Sequence, residues 1–178
     1  MDAIEMLSGE HRDVDKLFDR YGTCDSAAER HTLVEMLGRD LSQHAALEEE
    51  MLYPLMTRLA PDVDLGIQRR MHIHVGIKRT LIDLSRASAD EKAAHRVMGA
   101  LQEQVREHAQ TDESELLPRL RDLIDQQACD ELGAVLVAAK KIAPEQVRIR
   151  SPLDRPTLAL TIPIATFCDR LRDRCGRT

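Results

Sequence analysis

The sequence is poor in aromatic residues, with no Trp, two Tyr and two Phe among 178 residues. Val and Ile are sparse beside Ala, Leu, Glu, Arg and Asp. Sheets draw on β-branched and aromatic side chains, so a large sheet is excluded and helices are favoured. Positive charge is not in excess: a net charge of −6 leaves no electrostatic footprint for nucleic acid. No apolar run approaches the ~20 residues of a membrane span, and none is expected. The start, Met1-Asp2-Ala3-Ile4-Glu5, is acidic and lacks a basic-then-apolar leader pattern. Cys24, Cys129, Cys168 and Cys175 form no CxxC pair. They read as reduced thiols of a cytoplasmic protein rather than as a zinc site.

What the chain does have is an apolar period of three and four. A first helix is expected from about Asp2 to Tyr21, with Asp2 and Glu5 as a capping box and Gly22 as the stop. Its inward seam is Ile4, Leu7, His11, Val14, Phe18, Tyr21. Ser26 and Glu29 open a second helix that runs to about Met56, bending near Pro54, with the seam Val34, Leu37, Leu41, His44, Glu48, Met51, Leu55. A third, about Asp64 to Arg86, has Ile67, Met71, His74, Lys78, Leu81 and Leu84 inward. Ser88 and Glu91 cap a fourth, reaching about Ile124, with Val97, Leu101, Val105, His108, Asp112, Leu116 and Leu123 inward. A fifth helix, about Gln126 to Ile142, is expected to pack across the outside. The predicted fold is all-α: an up-down-up-down four-helix bundle with a fifth helix over residues 1–143. Residues 144–178 are read as an extended linker, Pro144 to Pro156, and a short amphipathic helix carrying Ile164, Phe167, Cys168 and Leu171 on one face. That helix docks on this chain or on a second copy, making a homodimer.

One stretch is used twice. His44-Ala-Ala-Leu-Glu48-Glu49-Glu50-Met51-Leu52-Tyr53-Pro54 returns as His108-Ala-Gln-Thr-Asp112-Glu113-Ser114-Glu115-Leu116-Leu117-Pro118. Four residues on a helix rise about 6 Å in slightly more than one turn, so each His stacks above its carboxylate on one face. Each of the four bundle helices therefore puts a His on its seam (His11, His44, His74, His108), and two add a carboxylate, Glu48 and Asp112. Each such group buried without a partner costs roughly 1–3 kcal/mol. A pair of cations among them would supply the partners. Imidazole and carboxylate suit iron, and manganese second. The absence of thiolates and the number of ligands argue against one structural zinc. Glu48 and Asp112 are the natural bridges between two metals. His31 and His95 fall off the seams. His72 reads as surface and is the alternative to His74. Glu49, Glu50 and Glu115 read as solvated charges, Glu113 as able to replace or assist Asp112, and Tyr53 as packing. Lys78 either snorkels to solvent or hydrogen-bonds a bridging carboxylate or a metal-bound oxygen. No His has an acidic residue three before it, which removes the ExxH pattern of ferritin-like centres.

The chain resembles the hemerythrin-like, HHE cation-binding domains through His11-Arg-x-x-x-x-Leu17-Phe18, His44-x-x-x-Glu48-Glu-x-x-Leu-Tyr-Pro, His74-x-x-Ile77-x-x-x-Leu81 and His108-x-x-x-Asp112-Glu-x-x-x-Leu-Pro. The resemblance spans roughly residues 3–125. It implies two iron ions, oxo-, hydroxo- or carboxylate-bridged, and a small diatomic or peroxide ligand. Oxygen carriers of that kind have a second His where this chain has Lys78, and their fourth-helix carboxylate would be Glu113. These departures point away from reversible oxygen carriage. The expected functions are binding of oxygen, peroxide or nitric oxide in redox or oxidative-stress response, peroxide decomposition as an enzyme, or an iron- or redox-sensing interaction module.

Overall fold

The structure, a computed structural model, describes residues 1–87, 90–145, 166–167 and 169–170. Its elements are α1 (Ala3–Thr23), α2 (Ala27–Leu47), α3 (Tyr53–Leu59), α4 (Asp64–Ala87), α5 (Glu91–Thr111), α6 (Leu117–Leu123) and α7 (Gln126–Lys140), with no strand among the described residues. A 3₁₀ turn, Pro61–Val63, leads into α4. The expected start of α1 holds: Asp2 accepts from Glu5 N–H at 2.8 Å while Glu5 accepts from Asp2 N–H at 3.2 Å. Ser26 accepts from Glu29 N–H at 3.4 Å at the start of α2. For α5 the cap is Asp90, which accepts from Lys92 and Ala93. Ser88 lies outside the described residues.

The two repeated stretches do something the sequence period does not announce. α2 and α3 are joined by a π-helical turn, Glu48–Leu52, and α5 and α6 by another, Asp112–Leu116. In each, the N–H ahead of the proline reaches back five residues, Tyr53 to the Glu48 carbonyl and Leu117 to that of Asp112. Pro54 and Pro118 explain this. An ordinary α turn would drive each ring into the carbonyl four residues back, which has no N–H to receive there. A wider turn relieves that clash, and the proline then sits harmlessly in the first turn of the next helix. The π turn also rephases the helix beyond it. After Asp112 the buried stripe is Leu116, Leu117, Leu120 and Ile124, and the predicted Leu123 is only partly buried.

The core forms two clusters. One gathers Leu7, Leu47, Met51, Leu55, Leu116 and Leu120 with Leu132 and Leu136 of α7. The other gathers Val14, Phe18, Leu37, Leu41, Leu81 and Leu101. α1 and α4 run from the first cluster to the second, and α2 and α5 run from the second to the first. Each helix crosses between them at its His, so the polar residues form one layer inside a sandwich of aliphatic side chains. α7 lies against α1 and α2. Its Gly133 meets the backbone of Met1–Ala3, where a Cβ would come within 2.7 Å of the Asp2 carbonyl carbon. Phe167 is fully buried in the first cluster, so the C-terminal segment packs on this chain at that point. Its neighbours Ile164, Cys168 and Leu171, and the linker from 146 on, lie outside the described residues. Among the described residues no helix is long and apolar enough to cross a membrane.

Candidate metal centre

All six seam residues converge. His11, His44, Glu48, His74, His108 and Asp112 are each buried, Glu48 and Asp112 completely. The Nε2 atoms face one another: His11 to His44 at 3.2 Å, His44 to His108 at 3.4 Å, and His74 to His108 at 3.4 Å. Glu48 reaches both sides of this group. Its Oε1 lies 3.4 Å from His44, and its Oε2 lies 3.1 Å from His74 and 3.3 Å from His108. Asp112 Oδ2 is 3.7 Å from His108 Nε2. His11, His44, Glu48 and His108 each offer an atom within 4.8 Å of the others, as ligands of one cation would. His31, His72 and His95 are exposed, as expected.

The outward nitrogens explain how the rings are aimed. His11 Nδ1 meets Glu113 Oε1 at 2.9 Å, His44 Nδ1 meets Glu10 Oε2 at 2.8 Å, and His74 Nδ1 meets Glu49 Oε1 at 2.9 Å. A carboxylate on Nδ1 fixes the proton there and leaves the Nε2 lone pair pointing inward. Where such lone pairs face one another they repel unless a proton or a cation lies between them. Two of the orienting carboxylates are themselves held. Lys78 donates to both oxygens of Glu49 at 2.6 and 2.7 Å, and Lys140 of α7 lies 2.6 Å from Glu10 Oε1.

Several expectations are corrected here. Glu49 and Glu50 are not solvated: Glu50 is buried and the Glu49 side chain is 8 % exposed. Glu49 is held there by His74 and Lys78, whereas the matching Glu113 and Ser114 of the second π turn are exposed. Glu115 is exposed yet accepts from Arg70 at 3.2 Å. Lys78 neither reaches solvent nor touches Glu48 or Asp112 by hydrogen bond, because Glu49 takes its ammonium. Tyr53 is more than packing. Its hydroxyl donates to Glu48 Oε2 at 2.9 Å and lies 3.3 Å from His74 Nε2. Sequence spacing missed Glu10, which precedes His11 in the chain but serves His44 on another helix. It also missed Arg70, one turn before His74, whose Nε donates to Asp112 Oδ1.

Charge in this layer is unbalanced. Burial opposes a charged His44, but the carboxylates of Glu48 and Glu10 prevail and lift it well above the usual imidazole value. Burial would likewise raise Glu48, yet His44 and His108 hold it well below the carboxylate range. His108 is driven down to about 4 by burial, with His74 and His44 adding to the effect. Burial, and then the nearby charge of Glu48, pushes Asp112 up to about 8 despite Arg70. Glu48 Oε1 and Asp112 Oδ2 are buried with no hydrogen-bond partner among the described residues. Two orphaned carboxylate oxygens beside inward-facing imidazoles form a donor set of the kind that iron or another first-row cation takes.

No curated protein and no solved structure matches the chain. The model of the family described as hemerythrin HHE cation binding domain matches residues 2–120, which contain every one of these side chains except Lys140. The chain therefore belongs to the hemerythrin HHE cation-binding domain family, and it is a metal-binding protein by its family and by the buried His and Glu cluster that could hold the ion.

Proposed function

We propose that the chain is a non-heme di-iron protein that binds oxygen, peroxide or nitric oxide in a redox or oxidative-stress response. His11, His44, Glu48, His74, His108 and Asp112 would hold the two iron ions. When bound, such a pair supplies a Lewis-acidic, redox-active centre for a small diatomic or peroxide ligand. The observation that carries this reading is the convergence of the imidazole Nε2 atoms on Glu48 with orphaned carboxylate oxygens beside them.

The chain's own residues do the rest. Glu10, Glu49 and Glu113 orient the rings, and Tyr53 holds a proton on Glu48 Oε2. The two aliphatic clusters keep bulk water out. Beside His44, His74 and His108 lies a cavity of about 10 Å³, walled by Leu41, Ala45, Ile77 and Leu81. That is about the room one water needs, so a larger molecule would have to displace the wall. Peroxide decomposition, the second reading, draws on an open metal position and on Lys78 as a group beside it. That ammonium is held by Glu49, and the Tyr53 hydroxyl is the better-placed donor.

The test is the absorption spectrum of iron-loaded protein before and after oxygen, peroxide or nitric oxide is added. A visible band that changes with ligand is expected. A colourless protein holding no iron after expression in iron-supplemented medium would end the reading.

A further inference from the structure

The layer has two unlike poles. At one, His11 and His44 face Glu48 Oε1, an oxygen that no donor touches. At the other, the Tyr53 hydroxyl already lies on Glu48 Oε2 and beside His74, and the Arg70 guanidinium lies on Asp112 Oδ1, leaving only Oδ2 of that carboxylate without a hydrogen-bond partner among the described residues. Arg70 is 3 % exposed. It is also fixed by the carbonyls of Gly66 and Thr111 at 3.2 and 3.1 Å and by Glu115. A guanidinium does not lose its proton in a protein. Like charges in a poorly polarisable interior repel strongly at short range. A cation arriving at this second pole must therefore share Asp112 with a permanent positive charge that three separate contacts hold in place.

We infer that Arg70, aided by Tyr53, makes the two metal positions unequal, so that the chain loads its cations in order. The pole of His11, His44, His108 and Glu48 Oε1 fills first. The pole of His74, Asp112 and Glu48 Oε2 fills later and more weakly. Arg70 is thus a positioning residue that sets the affinity of one site. The inference rests on the metal-centre reading above.

The experiment adds cobalt(II), whose visible bands report coordination, to the metal-free full chain, followed by calorimetry and absorption. The wild type should show two phases of one equivalent each, the second at least tenfold weaker. Arg70→Gln should tighten the second phase at least tenfold and leave the first within threefold. Arg70→Lys, which keeps the charge, should keep the phases apart. Uptake of two equivalents by the wild type in a single phase would overturn the inference while leaving the metal centre standing. An unchanged gap in Arg70→Gln would do the same. If circular dichroism finds Arg70→Gln unfolded, Tyr53→Phe decides: it removes the other donor and should narrow the gap, and an unchanged gap counts against the inference. Binding of no cobalt at all would sink the metal-centre reading itself.

Discussion

His72 and His95 place Nδ1 on a backbone carbonyl one turn back, at Gln68 and Glu91, whereas His11, His44 and His74 place it on a carboxylate. A carboxylate, carrying full charge, raises the basicity of the opposite nitrogen more than a carbonyl does, and it is joined here to burial, which His72 and His95 lack. Glu10→Ala should therefore weaken metal binding about 10–100-fold, measured by competition with a chelator, with little change in helix content. The inward residues were legible because four His fell on four apolar seams. Their orienting partners were not, since Glu10 serves a neighbouring helix and no spacing within one helix records that. A second residue-scale expectation concerns Asp2, which burial would raise but which Glu5 N–H, Arg121 and Gln126 hold down at about 2, from an ordinary 3.8. A depressed carboxylate stabilises the fold fully above its unfolded value and loses that contribution as pH falls through its folded value. Asn caps a helix as well as Asp, so Asp2→Asn tests the charge alone and should cost about 1–2 kcal/mol near pH 6. In urea unfolding, its deficit against wild type should shrink between pH 4 and pH 2; a deficit that stayed constant with pH would contradict the assignment.

The paired π turns are what the helices contribute as elements. Leu-x-Pro after each His-carboxylate pair was legible as a bend, but the sequence period could not reveal a five-residue turn. Hydrophobic spacing of three and four is blind to one inserted residue until the phase beyond it is seen, which is why Leu123 and not Leu120 was placed inward. The turn sits where the carboxylates leave α2 and α5, beginning at Glu48 in one and at Asp112 in the other. α7 acts at the same scale. It touches the N-terminus of α1 at Gly133 and the orienting carboxylate Glu10 through Lys140. Because the neighbours of Gly133 are backbone atoms that cannot move aside, Gly133→Ala should destabilise the protein by about 1–3 kcal/mol, read from the denaturation midpoint. A neutral result would mean that α7 is not seated as described.

For the molecule as a whole, a polar layer with unsatisfied oxygens is closed in between two aliphatic clusters, and the first cluster is completed by Phe167 from the C-terminal segment. Phe167→Ala should cost about 3–5 kcal/mol while leaving any metal spectrum unchanged, because the side chain belongs to packing and not to the centre. Whether residues 144–178 also join two copies is a separate proposal, settled by the sedimentation of the full chain. On the reading proposed above, the buried layer is stable because cations occupy it. Metal content together with thermal unfolding checks this, on one preparation with its iron and after the iron is stripped. About two equivalents of iron per chain and a markedly lower midpoint after stripping are expected. Less than one equivalent, with the same midpoint in both forms, would contradict that reading.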